Sequence, residues 1–321
     1  MNQVLKSSRN TAHASVGKWS TTGFQTLRQI RETTFGAVES HLNRNGKLAG
    51  LATGFVGLDR ATGGLQKGVL TVIAAVPGMG STSFAMNNAV KAAIHLDAKV
   101  GMFGLELNKL SLLHRILASE AGVHIPQLVM GFLAKEDMGN VKSAMVKLDA
   151  TRISIDDTAG ISLPELRFRA KRLSEDQEGL DLILVDPLQF VPAGAGSTSR
   201  GTNECRPSDL SFISNGLKSL AEELDLPDVA TLQLPKLKRR TGGHRRPTLK
   251  DLCAYGPIER DADQVVFVHR EVYYRVDEKI AEADRRKAEV IVAKHRTCSS
   301  RTFDLDFNAA FTSFNDLQET D

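Results

Sequence analysis

The chain has 321 residues, of which 41% are hydrophobic and 25% charged, and its basic residues exceed its acidic ones by only 41 − 38 = 3. At roughly 150 residues per domain this is the size of two domains, or of one large α/β domain with an appendage, and it can bury a core without disulfides or metals. No stretch approaches the roughly 18 uninterrupted apolar residues of a membrane span, so an integral membrane protein is excluded. No apolar segment with a small-residue cleavage site follows Met1, so no secretory signal is expected. Three widely spaced cysteines, Cys205, Cys253 and Cys298, exclude a disulfide framework and a cysteine-based zinc site, and they suit a reducing compartment.

From Met1 to Arg31 there are five Lys or Arg and no acidic residue. An organelle transit peptide has that bias. We read residues 1–21 instead as a flexible basic arm. From about Thr22 to Asn43 a helical period appears, with Phe24, Leu27, Phe35, Val38 and Leu42 on one stripe, and Asn45-Gly46 ends it. A lone amphipathic helix must bury its stripe against something. Residues 22–47 therefore read as a linker or docking helix, seated on its own domain or on a neighbouring subunit.

Residues 48–321 alternate short apolar strands with helices. The expected strands are Val69–Ala75, Val100–Leu105, Arg152–Ile155, Leu182–Val185, Val229–Leu234, Val265–His269 and Val290–Ala293, with Phe303–Phe307 as an antiparallel edge. Helices are expected over Phe84–Ile94, Leu110–Glu120, Leu163–Leu173 and Asp209–Leu224. This alternation implies an α/β fold with a mainly parallel sheet flanked by helices, and ligands of such sheets bind at the carboxyl ends of the strands.

Two stretches break the pattern on that side, Pro192–Pro207 and Pro235–Pro247. The second, PKLKRRTGGHRRP, holds Lys236, Lys238, Arg239, Arg240, Arg245 and Arg246 with no acidic residue. A charge run is usually a solvated face. The glycines and prolines here describe a loop, and its position favours sequence-tolerant binding to a phosphate backbone. It has no interleaved aromatics, so base stacking is not supported.

After the first strand, Ala75-Val76-Pro77-Gly78-Met79-Gly80-Ser81-Thr82 leads into a helix in the layout of a P-loop. Glycines let backbone N–H groups turn inward around phosphates, and the hydroxyl of Thr82 is placed to hold Mg²⁺. The bare pattern fails at two positions, with Ala75 for the first Gly and Ser81 for the Lys. A glycine-rich turn that binds no nucleotide is the other reading of the loop alone. Three further polar residues at strand ends shift the balance. Asp186 closes LILV in the form of a Walker B carboxylate, which orders Mg²⁺. Glu106 sits where a base could activate water, and Gln233 where a side chain could sense the γ-phosphate.

These segments together resemble the RecA-like motor domain of the DnaB-type replicative DNA helicases over about residues 22–316. The carrying pieces are TGFVGLDRATGGLQKGVL (53–70), AVPGMGSTSFAMN (75–87), FGLEL (103–107), IDDTAG (155–160), LILVDPLQ (182–189), LKSLAEEL (217–224), DLCAYGPIERDAD (251–263) and KHR (294–296). Their order and spacing set them apart from other RecA-like ATPases, which share the TGG-L block.

The resemblance implies a P-loop NTPase over 48–321 that hydrolyses ATP, with Pro77, Gly78, Met79, Gly80, Ser81 and Thr82 on the triphosphate and Thr82 with Asp186 on Mg²⁺. It implies Glu106 as the catalytic glutamate and Gln233 as the link between nucleotide and DNA loop. Lys294 and Arg296 become the basic pair that a neighbouring subunit inserts against the γ-phosphate. It further implies a homo-hexameric ring around single-stranded DNA, with the basic loop 236–246 facing the channel and 22–47 docking on the adjacent subunit. Helicase loader and primase follow as partners, no membrane is involved, and the location is cytoplasmic, at the replisome. The family's N-terminal domain has no counterpart in this chain.

Departures from the family are Ser81 for the P-loop lysine, Pro187 for a tyrosine, Leu232 for a serine, Pro235 for an asparagine, Asn215 for an arginine, and Cys253-Ala254-Tyr255 for an Arg-Glu-Ser run. The alternative is thus a hydrolysis-deficient relative that keeps ring assembly and nucleotide and DNA binding.

Overall fold

The computed structural model describes residues 26–28, 48–192, 207–236, 246–274 and 281–317. The chain divides into Met1–Lys47 and Leu48–Asp321. In the first unit only 26–28 are described, exposed and with Leu27 and Arg28 helical, so the expected arm and the rest of the linker helix lie outside the described residues.

The second unit is built on one nine-stranded sheet in the order β3-β2-β4-β5-β1-β6-β7-β8-β9. Its strands are β1 (Leu70–Ala75), β2 (Lys99–Gly104), β3 (Arg152–Asp156), β4 (Leu182–Asp186), β5 (Asp228–Gln233), β6 (Gln264–His269), β7 (Lys287–His295), β8 (Arg301–Asn308) and β9 (Ser313–Asp316). Strands β3 to β6 pair in parallel, and β6 to β9 continue the sheet antiparallel. Every residue of β1, β4 and β6 is buried, which is why these strands read as unbroken apolar runs: both faces are covered.

The helices are α1 (Val56–Thr62), α2 (Ser81–Leu96), α3 (Lys109–Ala121), α4 (Ile125–Met130), α5 (Lys135–Asp149), α6 (Leu163–Asp176), α7 (Pro207–Leu224), α8 (Ile258–Asp261) and α9 (Glu282–Arg286). Their ends follow local chemistry. Asn108 caps α3 by accepting from the Ser111 N–H at 2.9 Å, and Gly122 in the left-handed region ends it. Ser162 caps α6 in the same manner, with Pro164 in its first turn. The expected strands and helices are all present, β7 being longer than expected. Helices α1, α4, α5, α8 and α9 and strand β9 were not expected.

The chain leaves β1 for β2, two strands beyond its neighbour β5, and later returns to β1's other side as β6. The order of connections thus reverses around β1, and a crevice opens at the carboxyl ends of the strands there. The antiparallel extension closes the far side of that crevice. Phe314 and Phe307 stack with centroids 4.2 Å apart, and Phe314 meets Phe84 of α2 edge-on at 5.3 Å.

Asp228 opens β5 fully buried, and neither carboxylate oxygen has a hydrogen-bond partner among the described residues. Burial alone pushes its carboxyl well above the ordinary range. The folded state therefore holds a proton that the unfolded chain releases above about pH 4. Asp228 adds stability below that pH, and the contribution is lost as pH rises toward the elevated folded value. In urea unfolding across a pH series, the parent should lose up to about 1.4 kcal/mol per pH unit relative to Asp228→Asn within this window. Parallel pH profiles would show that the carboxyl is ionised in the folded protein.

Candidate functional site

The turn between β1 and α2 is a cradle for an anion. Ala75, the last residue of β1, accepts from the Leu234 N–H at 2.8 Å, and Met79 is buried beneath the turn with its N–H bonded to the Val76 carbonyl. Gly78 and Gly80 have φ of +87° and +99°, a region that L side chains rarely adopt. A side chain there would also crowd the aromatic rings around the turn. A Cβ on Gly80 would lie 3.1 Å from Phe314 and 3.2 Å from Phe307, and one on Gly78 would lie 2.7 Å from the Tyr273 hydroxyl. The first turn of α2 carries no acidic residue, so its free N–H groups and dipole favour a negative group. Ser81 is the first residue of α2 and is nearly buried.

In front of the turn lies a cavity of about 360 Å³, lined by Pro77, Gly78, Gly80, Ser81, Thr82 and Ser83 and, across from them, by Glu106, Leu107, Arg115, Gln233, Arg270, Phe307 and Ala309. Strand register brings the acidic and amide groups here. Ala75 is paired with Gln233, and Gly104 with Asp186, so the tips of β1, β5, β2 and β4 form one row.

The Thr82 hydroxyl donates to Asp186 Oδ1 at 2.9 Å, and the Thr231 hydroxyl donates to the same oxygen. Asp186 Oδ2 is buried with no partner among the described residues. Burial pushes the Asp186 carboxyl up from its ordinary range, against the hydrogen bonds from Thr231 and Thr82. An orphaned carboxylate oxygen beside a hydroxyl is a hard-oxygen donor set that fits Mg²⁺, which prefers one or two protein oxygens plus phosphates and water. No group of three or more His, Cys, Asp or Glu able to hold a metal occurs among the described residues, so a metal here would need oxygens from a ligand.

Glu106 and Gln233 are joined directly. The Gln233 Nε2 donates to Glu106 Oε2 at 2.7 Å. Gln189 brackets the Gln233 backbone, its Nε2 donating to the Gln233 carbonyl at 2.7 Å and its Oε1 accepting the Gln233 N–H at 2.9 Å. The carboxylate that faces the cavity is thereby tied to the segment leading into the basic loop.

Arg270 and Arg115 are cavity residues that the sequence reading missed. Arg270 follows β6 and lies over the Phe307 ring, 4.6 Å from its centroid, with Nη1 3.5 Å from the Gly78 carbonyl. Burial pulls its pKa down, the cost of keeping a guanidinium against an aromatic wall. Its place at a strand tip was a usable signal; Arg115, mid-helix on α3, gave none.

Lys294 and Arg296 lie elsewhere. Lys294 is paired with Val265, and Gln264 with Thr71, so both sit toward the amino end of β1. The cradle follows Ala75 at the other end, about 13 Å away along the strand. Lys294 Nζ donates to the carbonyls of Glu259 and Ala262, capping the short α8, and burial lowers its pKa. Arg296 Nε lies 2.6 Å from Asp263 Oδ1. Neither side chain is near the chain's own cavity.

Of the basic loop, Lys236 is exposed, while Lys238, Arg239, Arg240 and Arg245 lie outside the described residues. Arg246 is bonded through Nε and Nη2 to the Glu289 carboxylate at 2.5 and 2.6 Å. The Glu289 carboxylate raises the pKa of Arg246, and the guanidinium in turn holds Glu289 below the ordinary carboxylate range. No helix among the described residues is long and apolar enough to cross a membrane.

The family model described as DnaB-like helicase C terminal domain matches residues 50–316. Among curated relatives, the replicative DNA helicase DnaC of Bacillus subtilis is 34% identical over 98% of this chain and 67% of its own length. The replicative DNA helicase DnaB of Geobacillus stearothermophilus is 35% identical over 92% and 63%. The chain thus spans about two thirds of the length of these relatives. A solved DnaB-like replicative helicase, described with its interactions with primase, superposes with a TM-score of 0.80 at 30% identity, covering 91% of this chain and 69% of that one. A solved ATPase domain matches equally well, with a TM-score of 0.80 at 30% identity over 90% of this chain and 99% of its own. The fold is the RecA-like ATPase fold that the sequence implied, and the chain belongs to the DnaB-like helicase C-terminal domain family.

Proposed function

We propose that this chain is the ATP-driven motor of a replicative DNA helicase, acting as a hexameric ring on single-stranded DNA. The observation that carries the reading is the convergence of Thr82, Asp186, Glu106 and Gln233 on one cavity with the Gly78–Thr82 cradle. Backbone N–H groups of Gly78 to Thr82 bind the triphosphate, and Thr82 and Asp186 hold the Mg²⁺ that accompanies it. Mg²⁺ supplies charge neutralisation for the phosphates. Glu106 orients the attacking water and takes its proton. Gln233 reports the state of the γ-phosphate to the loop that follows it.

The distance between Arg296 and its own cradle favours service to a neighbour's site, an arginine supplied in trans. Residues 48–321 would be the motor, 22–47 the linker that docks on the adjacent copy, and 1–21 a basic arm. Loader and primase are partners in this reading, and the replisome is the place of action.

The direct test is ATP turnover stimulated by single-stranded DNA together with strand displacement; turnover indifferent to DNA would remove the helicase reading. The loop is tested separately. Changing Arg239 and Arg240 to Ala should flatten the salt dependence of single-strand binding by about 1.4 in log–log slope, at ~0.7 per phosphate contact. An unchanged slope takes the loop off the DNA.

A further inference from the structure

Arg296 sits in the connection between β7 and β8, and two neighbours fix its position. The first is Asp263, whose side chain is 4% exposed and anchored in the body of the fold. Its Oδ2 accepts the Leu70 N–H at 2.9 Å and lies 2.8 Å from Lys218 Nζ, while its Oδ1 faces Arg296 Nε at 2.6 Å. The second is His295. Its Nδ1 accepts the backbone N–H groups of Thr297 at 3.2 Å and Cys298 at 3.1 Å, folding the turn around Arg296. A ring nitrogen that accepts two N–H groups carries no proton, so the ring is neutral with the proton on Nε2. Burial lowers the imidazole pKa and keeps it in that form.

Resting on the reading above, we propose that Asp263 and His295 are positioning residues that hold Arg296 ready for the phosphates bound by a second copy of the chain. Three features support a poised side chain rather than a purely structural ion pair. Asp263 meets Arg296 through Nε, and the Arg296 side chain remains 58% exposed, which leaves its Nη groups for another partner. The Asp263 carboxylate is itself held in place, by the Leu70 N–H and by Lys218, whose Nζ it shares with Glu222 at 3.0 Å. The neighbouring Lys294 is committed to the carbonyls of α8, which leaves Arg296 as the exposed member of the pair. A long side chain fixed beforehand loses less rotamer freedom when it meets a phosphate, and a charge held in place needs no reorganisation as the barrier is crossed.

The test is steady-state ATP hydrolysis by the full chain with single-stranded DNA, measured for four variants. Arg296→Ala tests the underlying reading and should lower kcat more than tenfold. Asp263→Asn keeps an acceptor for the Leu70 N–H but drops the charge that orients Arg296. It should lower kcat about tenfold with KM for ATP unchanged, because the chain's own cradle lies at the other end of the sheet. His295→Ala should act similarly. His295→Asn, whose side-chain oxygen can accept the same turn N–H groups, should recover most of the loss. Full kcat in Asp263→Asn and His295→Ala beside a crippled Arg296→Ala would overturn the positioning role and leave the motor reading standing. Losses that track only the folded fraction, or His295→Asn no better than His295→Ala, would also overturn it. An Arg296→Ala variant as active as the parent, or a parent without turnover, would remove the underlying reading and this inference with it.

Discussion

Replacing Ser81 by lysine should raise ATP turnover by about 10- to 100-fold, the equivalent of one charge-assisted hydrogen bond of about 1.5–3 kcal/mol to the phosphates. The position is prepared for it. Ser81 opens α2 at the lip of the cavity, directly after the left-handed Gly80, and the cavity has room for a longer side chain. The serine leaves the cradle with backbone N–H groups and the helix dipole but no cation on the loop itself. Arg115 and Arg270 line the same cavity from α3 and from the end of β6, and they are the cations left to face a triphosphate. A lysine at a helix N-terminus, close to two guanidinium groups, is unfavourable until an anion arrives. Ser81→Lys should therefore melt lower than the parent without nucleotide and show a larger rise in Tm with ATP and Mg²⁺. Thermal melts with and without nucleotide, beside turnover, separate the two effects. A parent already as active as Ser81→Lys would show that Arg115 and Arg270 replace the missing charge in full. If neither protein responds to ATP, the cradle binds something else.

Glu106→Gln should lower turnover by about 10²- to 10⁴-fold, the usual contribution of a positioned general base, with little change in ATP affinity. The substitution is nearly isosteric, so the fold is not at stake. What changes is the hydrogen bond at 2.7 Å from Gln233 Nε2. An amide at position 106 can still accept that bond through its oxygen, but it cannot take a proton from water. Single-turnover hydrolysis and equilibrium nucleotide binding on the same preparation check the split. A loss of binding matching the loss of rate would make Glu106 a ligand of the phosphates or metal rather than a base.

Much of this site was legible because its chemistry sits at strand ends, and strand ends are easy to find in a chain of buried parallel strands. Asp186 follows four apolar residues, Gln233 ends another such run, and the glycines mark the turn after β1. The helices between β2 and β3 were legible only in part. Helix α4 buries no residue and α5 buries only Val141 and Ala144, so neither carries an apolar period strong enough to read. Phe307 lies on a half-buried antiparallel strand, where pattern alone says nothing about a cavity. Placing Lys294 and Arg296 required the register of β7 on β6. That register shifts between Val265 and Val266, a local irregularity that residue pattern does not encode.

The placement of cradle and Arg296 toward opposite ends of the strands has a consequence for how copies can associate. In a two-fold dimer Arg296 of each copy would have to reach the cradle of the other at once; where only one of those two contacts forms, the association is heterologous, head to tail. Such a contact repeats until rotation closes it or leaves it open. In a closed assembly every cradle receives an arginine. In an open one the terminal cradle goes without, so specific activity should grow with assembly size toward a plateau reached at closure. Catalysis in this chain would then count the neighbours that each copy has found.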